Sequence, residues 1–300
     1  MTNGGFGSAS GSLFCFVSPS FPCRHNVREK EGKAMGLLPT DRWLEEDEGD
    51  PLRLCARLAP LFGKMPAREI YSYLRLYGMY RSTRQAERLL PEMKERRLWE
   101  RLGRLYERQR GIWKGPDVPV CLLPADDENW KLAREFQGKG GVAFADKLFF
   151  FLLPDHCDEE IAALLAHEYN HVCRLKQLPN EGEDATLLDA VVMEGLAEHA
   201  VAETVGAEQC AGWTKYYTDR EMERFWRRYI VPNKHLPVSH PHTSRILYGL
   251  GWHPKMGGYA VGYAIVRRCL ERGYSLTQLM TMETKDIAEL AGFSDKQGAS

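Results

Sequence analysis

From Pro51 to Gly111 apolar residues recur at intervals of three and four, through LRLCARLAPLF, AREIYSYLRLYGMY and TRQAERLLPEMKERRLWERLGRLYERQR. This is the period of helices with one buried face, and Pro60, Pro66, Gly78 and Pro91 punctuate it into three or four of them. At Asp117 the period changes. DVPVCLLP, Asp117 to Pro124, is a short β-rich run, and GGVAFADKLFFFLLP, Gly140 to Pro154, reads as a hairpin or strand pair turning near Ala145 and Asp146. The helical period returns in CDEEIAALLAHEYNHVCRLKQL and pauses at the polar loop LPNEGEDAT. It resumes in TLLDAVVMEGLAEHAVAETVG, where Thr186 fits an N-cap and Gly206 a C-terminal stop. GGYAVGYAIVRRCL opens another helix at Gly257, and SLTQLMTMETKDIAELAGF closes the chain with one or two more.

These elements predict an α+β fold, mainly α, with a small sheet lying against a helix. Residues 1–34, rich in Gly, Ser and charge and without periodicity, read as a disordered extension. Residues 35–115 form an all-helical N-terminal subdomain, and 116–300 a second domain that holds the chemistry. Met35, where a more protein-like pattern begins, stands as an alternative start.

Composition narrows the function classes. A 300-residue chain that is 44% hydrophobic buries a substantial core. Its net charge of −1 points away from nucleic acid and from anionic membranes, and acidic residues interleave with each basic cluster at helical spacing. No apolar run approaches the roughly 20 residues of a membrane span. The N-terminal GSLFCFVSPSFPC has too short an apolar run, and no preceding basic residues, for a signal peptide. The eight cysteines are scattered without a CxxC pair, which suits reduced, mostly buried thiols in the cytoplasm better than a disulfide framework or a thiolate metal site. Packing accounts for Cys157 and Cys173, which flank the motif discussed next; Cys173 points about 200° around the helix from His171.

The candidate chemistry lies in HEYNH, His167 to His171. Residues on a helix advance by about 100°, so His167 and His171 stand one turn apart on one face with Glu168 beside them. Two imidazoles then reach one Zn²⁺, and Glu168 is left to take a proton from a water held on the metal; this is the zincin signature HExxH. Ile161, Leu164, Leu165, Ala166, Val172 and Leu175 make the helix strongly apolar, so the polar groups are buried and in need of partners. In the following helix Leu187, Val191, Glu194 and Glu198 share one stripe. A carboxylate among apolar neighbours is the anomaly there, and Glu194 completes a His, His, Glu set with a fourth position open to water. Glu198, one turn on, is placed to accept the other ring N–H of a ligand histidine. His199 points about 100° away from Glu198 and competes less well for a metal role.

HEYNH followed after 22 residues by EGLAE resembles the gluzincin arrangement, in which a second helix supplies a glutamate ligand. GGVAFADKLFFFLLP, AHEYNHVCRL, MEGLAEH and MGGYAVGYAIV, in that order, resemble the bacterial YjaZ-like family of predicted zinc-dependent proteases, as does TDRWLEEDE near Met35. The similarity runs over residues 36 to 293 and is most specific at the two metal helices. It implies a zincin-like catalytic domain, zinc on His167, His171 and Glu194, and Glu168 as general base. The chain departs from the family's NExxSD form: Met193 precedes the glutamate, and Glu198 replaces an aspartate, which leaves the outer carboxylate's geometry open.

Zinc-dependent peptide hydrolysis also needs a group to steady the oxyanion. PVSHPHTSRILYG offers His240, His242 and Arg245; GGYAVGYAIV offers Tyr259 and Tyr263, which the resemblance favours because they match the family's GYxxGY element. The expected activity is a zinc metallopeptidase acting on a peptide or protein substrate. A non-catalytic peptide-binding scaffold and a metallohydrolase of a non-protein amide are the alternatives. An edge of the 140–153 strand pair, if open beside the metal, would hold an extended peptide by main-chain hydrogen bonds.

Overall fold

The structure is a computed structural model that describes residues 36–179 and 184–293. The extension 1–34 and the alternative start at Met35 lie outside the described residues. The described chain divides into two compact units, with the boundary in sequence between Val172 and Cys173.

The first unit begins with five helices, α1 Thr40–Glu46, α2 Pro51–Leu58, α3 Ala67–Leu76, α4 Thr83–Glu95 and α5 Leu98–Trp113. Local chemistry marks their starts. The Asp50 side chain accepts from the backbone N–H groups of Leu52 and Arg53 ahead of a proline at the first helical position, and Ser82 caps α4. Pro91, expected to end a helix, instead lies inside α4. Ala86, Leu89, Leu90 and Met93 are buried along one face of that helix, and their packing outweighs the one hydrogen bond that proline removes.

Strands β1 Val120–Pro124, β2 Gly140–Phe144 and β3 Lys147–Leu152 form a sheet in the order β1-β3-β2. β1 runs parallel to β3 and β2 antiparallel to it, with Ala143 opposite Leu148 and Gly141 opposite Phe150 across the expected hairpin. Every residue of the three strands is buried, which is why they read as continuous apolar runs rather than alternating ones. Helix α6, Trp130–Phe136, connects β1 to β2. Thr40 ties the helices to the sheet: its hydroxyl donates to Leu122 O at 2.5 Å and accepts from Trp99 Nε1 at 2.9 Å. Helix α7, Asp158–Gln177, follows the sheet, with Asp158, Glu159 and Glu160 in its first turn where the helix dipole favours them.

The second unit is built on helix α8, Leu187–Thr204, whose start is a capping box in which Thr186 and Asp189 exchange side-chain and backbone bonds. Residues 187 to 201 of α8 are buried except Asp189, so it is an internal helix and not an amphipathic one. After it come α9 Asp219–Phe225, a π-helical turn Trp226–Ile230, α10 Pro241–Tyr248, α11 Gly257–Glu271, α12 Leu276–Leu279 and α13 Thr284–Leu290. The main packing in this unit is α8 on α11, backbone against backbone. A Cβ on Gly195 would stand 2.2 Å from Gly262 O, and one on Gly262 would stand 1.8 Å from Val191 O. Only glycine at both places permits the approach.

The six described cysteines are free; five are buried and Cys157 is exposed. Among the described residues no helix is long and apolar enough to cross a membrane.

Candidate metal centre

Helix α7 presents His167 and His171 with their rings edge to face and 4.8 Å apart, both buried. One turn of helix separates them, so their nitrogens converge without strain. Helix α8 presents Glu194, also buried, and the candidate ligand atoms of His167, His171 and Glu194 all lie within 4.8 Å of one another. Donors to one tetrahedral Zn²⁺ at about 2.0–2.2 Å stand roughly 3.4 Å apart, so small side-chain movements close this set around an ion. Two imidazoles and a carboxylate, in a site from which water is largely excluded, are the donor chemistry of a catalytic zinc site with one position left for water. The residues fit the metal.

Glu168 is fully buried. Strand β2 passes directly against it: a Cβ on Gly141 would stand 2.6 Å from Glu168 Cγ and 2.7 Å from Oε1. β2 is an outer strand of the described sheet, and its ladder bonds all run to β3. The face of β2 and the carboxylate of HExxH are thereby neighbours, a relation that spacing alone does not show.

The remaining expected residues divide. Glu198 is buried and its carboxylate accepts the backbone N–H of Ala211. Tyr259 is buried with its ring edge-on to Trp213 at 5.3 Å and tilted against Tyr248 at 5.5 Å. Tyr263 is half-buried and stacks on His199 at 4.0 Å, the rings parallel within 5°. Desolvation, then the charges of Cys210 and Glu198, raise the Tyr263 phenol above its usual range, so it stays protonated. His199 faces the Tyr263 carbonyl at 3.0 Å through Nε2. Burial pulls its pKa down to about 4, so the ring is neutral with its proton on Nε2. In the other candidate segment, His240 and Arg245 are exposed and His242 half-buried; His240 caps α10 by accepting from His242 N.

Sequence reasoning passed over Arg174, one turn beyond His171. It is fully buried, and its guanidinium donates to the carbonyls of Leu279, Met280 and Met282 and to the Thr284 hydroxyl at 3.0–3.4 Å. A charged residue within the all-buried run His167 to Leu175 is the signal that would have found it. Trp213, the ring between the two tyrosines, had no motif to announce it.

Residues 98–289 match the family described as predicted Zn-dependent protease (DUF2268). The chain belongs to that family. It is 36% identical, over 239 residues, to the uncharacterized protein YjaZ of Bacillus subtilis (strain 168), covering 79% of this chain and 91% of that relative. It is 23% identical over 199 residues to the uncharacterized protein YjfC of the same organism, covering 62% of this chain and 65% of that relative. No solved structure matches it. The matched span of the family contains α7 and α8, and the family's description names the zinc dependence that the buried His, His, Glu set fits.

Proposed function

We propose that this protein is a zinc-dependent metallopeptidase that hydrolyses peptide bonds, with His167, His171 and Glu194 as ligands and Glu168 as the general base. The observation that carries the proposal is the convergence of three buried donors, His167, His171 and Glu194, beside the buried carboxylate of Glu168, which packs against the face of β2. A bound Zn²⁺ supplies Lewis acidity, polarising the scissile carbonyl and acidifying the attacking water. Glu168 accepts the water's proton and returns it to the leaving amine. Tyr259, with Tyr263 beside it in sequence register, supplies the phenol that steadies the oxyanion.

The test pairs metal content with cleavage. Purified protein is expected to hold one zinc per chain and to cleave members of a quenched-fluorescence peptide library. Glu168→Gln should keep the zinc and lose cleavage by at least about 10³-fold, while His167→Ala should lose the zinc. Wild-type protein without stoichiometric zinc would defeat the proposal. Zinc retained with no peptide cleaved would leave the fold as a binding scaffold or direct the chemistry to a non-protein amide.

A further inference from the structure

Gly257 and Val261 share a stripe of α11 that lies about 200° around the helix from Tyr259 and Tyr263. That opposite face borders an open cleft of about 230 Å³, lined otherwise by Tyr217, Pro254, α9 and the π-helical turn. Its walls are apolar and aromatic, from Tyr217, Met222, Phe225 and Tyr229. Gly257 is small for a reason here: a Cβ would stand 2.4 Å from Phe225 Cε2, so the glycine lets that ring lie against α11.

Charge at the cleft is net positive, two arginines against the one carboxylate of Glu221, which also lines it. Arg224 and Arg228 both line it, and both are exposed. The nearby carboxylates are already engaged: Glu221 accepts from the N–H and hydroxyl of Thr218 at 2.8 Å, Asp219 pairs with Arg267, and Glu223 pairs with Arg268 at 2.7 Å. Glu223 also reaches Arg227, at 4.0 Å. Neither Arg224 nor Arg228 has an ion pair among the described residues. The Arg228 guanidinium lies over the Tyr229 ring, 5.3 Å from its centroid, which holds it at the wall. Both Arg228 and Tyr229 sit in the π-turn, a rare backbone form that recurs at functional sites.

We propose that this cleft is a binding site for an apolar or aromatic carboxylate, separate from the metal centre. The hydrophobic body of the ligand would lie on Phe225, Met222 and Tyr217. Its carboxylate would meet Arg224 and Arg228, whose forked donors match carboxylate geometry. The volume is below the roughly 300–1,000 Å³ of sites for drug-sized ligands, so the ligand is a short acid or a single residue. Two sources share this chemistry: a free hydrophobic acid, and the C-terminal residue of a peptide. The site needs neither zinc nor Glu168, so it stands or falls independently of the peptidase proposal.

Calorimetric titration of the full chain carrying Glu168→Gln, which removes turnover, tests it with N-acetylphenylalanine, N-acetylphenylalaninamide and octanoate. The free acid should bind, and the amide at least about tenfold more weakly, because it lacks the charge that the arginines read. Arg224→Gln/Arg228→Gln should abolish acid binding without changing the melting temperature, and Arg224→Lys/Arg228→Lys should restore part of it. Equal binding of acid and amide, acid binding that survives the double glutamine variant, or no binding of either acid at millimolar concentration would overturn the proposal. N-acetylphenylalanine bound in preference to octanoate assigns the site to a peptide C-terminus, and the reverse assigns it to a free acid.

Discussion

Gly141→Ala separates the chemistry of the site from the stability of the fold. The added Cβ would meet Glu168 Cγ at 2.6 Å, Oε1 at 2.7 Å and Cδ at 2.8 Å. Non-bonded carbon atoms rest at about 3.5–4.0 Å, so something must yield by roughly 1 Å. The atoms in the way are the end of one side chain, whereas β2 is held in its ladder to β3, so the carboxylate is what moves. A misplacement of about 1 Å in a catalytic group costs on the order of 10²-fold in rate, equivalent to about 2.7 kcal/mol of barrier. The expected result is a kcat about a hundredfold below wild type on the best library peptide, with zinc content unchanged and a melting temperature lowered by only a few degrees. Stopped assays of cleavage, metal analysis by mass spectrometry and thermal denaturation read the three quantities. Unaltered kcat at full zinc occupancy would refute the placement of Glu168 as the base under β2. Loss of zinc would show that the clash is relieved through the ligand helix instead.

Gly262→Ala should do the reverse: its Cβ meets backbone, Val191 O at 1.8 Å, so α8 and α11 must part, and denaturant melts should show a loss of about 3 kcal/mol or more. Lys139 is 2% exposed, its ammonium reaches Glu160 at 3.8 Å, and burial lowers its pKa. Lys139→Met should therefore stabilise the protein by about 1 kcal/mol or more at neutral pH. Because the folded pKa lies below the unfolded one, the penalty is full below the folded pKa. It fades as pH rises toward about 10.4, and the gap between variant and wild type in urea melts should narrow there. His199 has a folded pKa of about 4 against an ordinary 6.5, so the unfolded chain binds the extra proton first. Wild-type stability should fall as pH drops from 6.5 toward 4, by up to about 3 kcal/mol from this group, and His199→Phe should remove that part of the slope while keeping the stack on Tyr263.

Local features of this chain were legible without a structure because their causes are local. HEYNH is one turn of helix, and one turn is enough to place two imidazoles on the same side. The change from helical spacing to apolar runs marks β1, β2 and β3, and Thr186 marks the start of α8. Glu194 stands out in the sequence as a carboxylate among apolar neighbours on one stripe, whereas the structure encloses α8 on nearly every side. Pro91 misled because packing along α4 outweighs a local preference for a break.

What the chain order could not disclose is every relation that depends on distance in space. Gly141 and Glu168 are 27 positions apart, and nothing in either's neighbours says that a strand backbone will pass within a methyl group's width of that carboxylate. Gly195 and Gly262 each suit a close approach of helices as read from the chain; only the crossing of α8 and α11 shows that they face one another. Arg174 is charged and lies in a buried run, an apparent contradiction until the carbonyls of residues 279, 280 and 282 are brought around it. Residue type and helical period specify which groups face the same way. Which of them meet is decided by close packing, where a single Cβ more or less determines how near two backbones come.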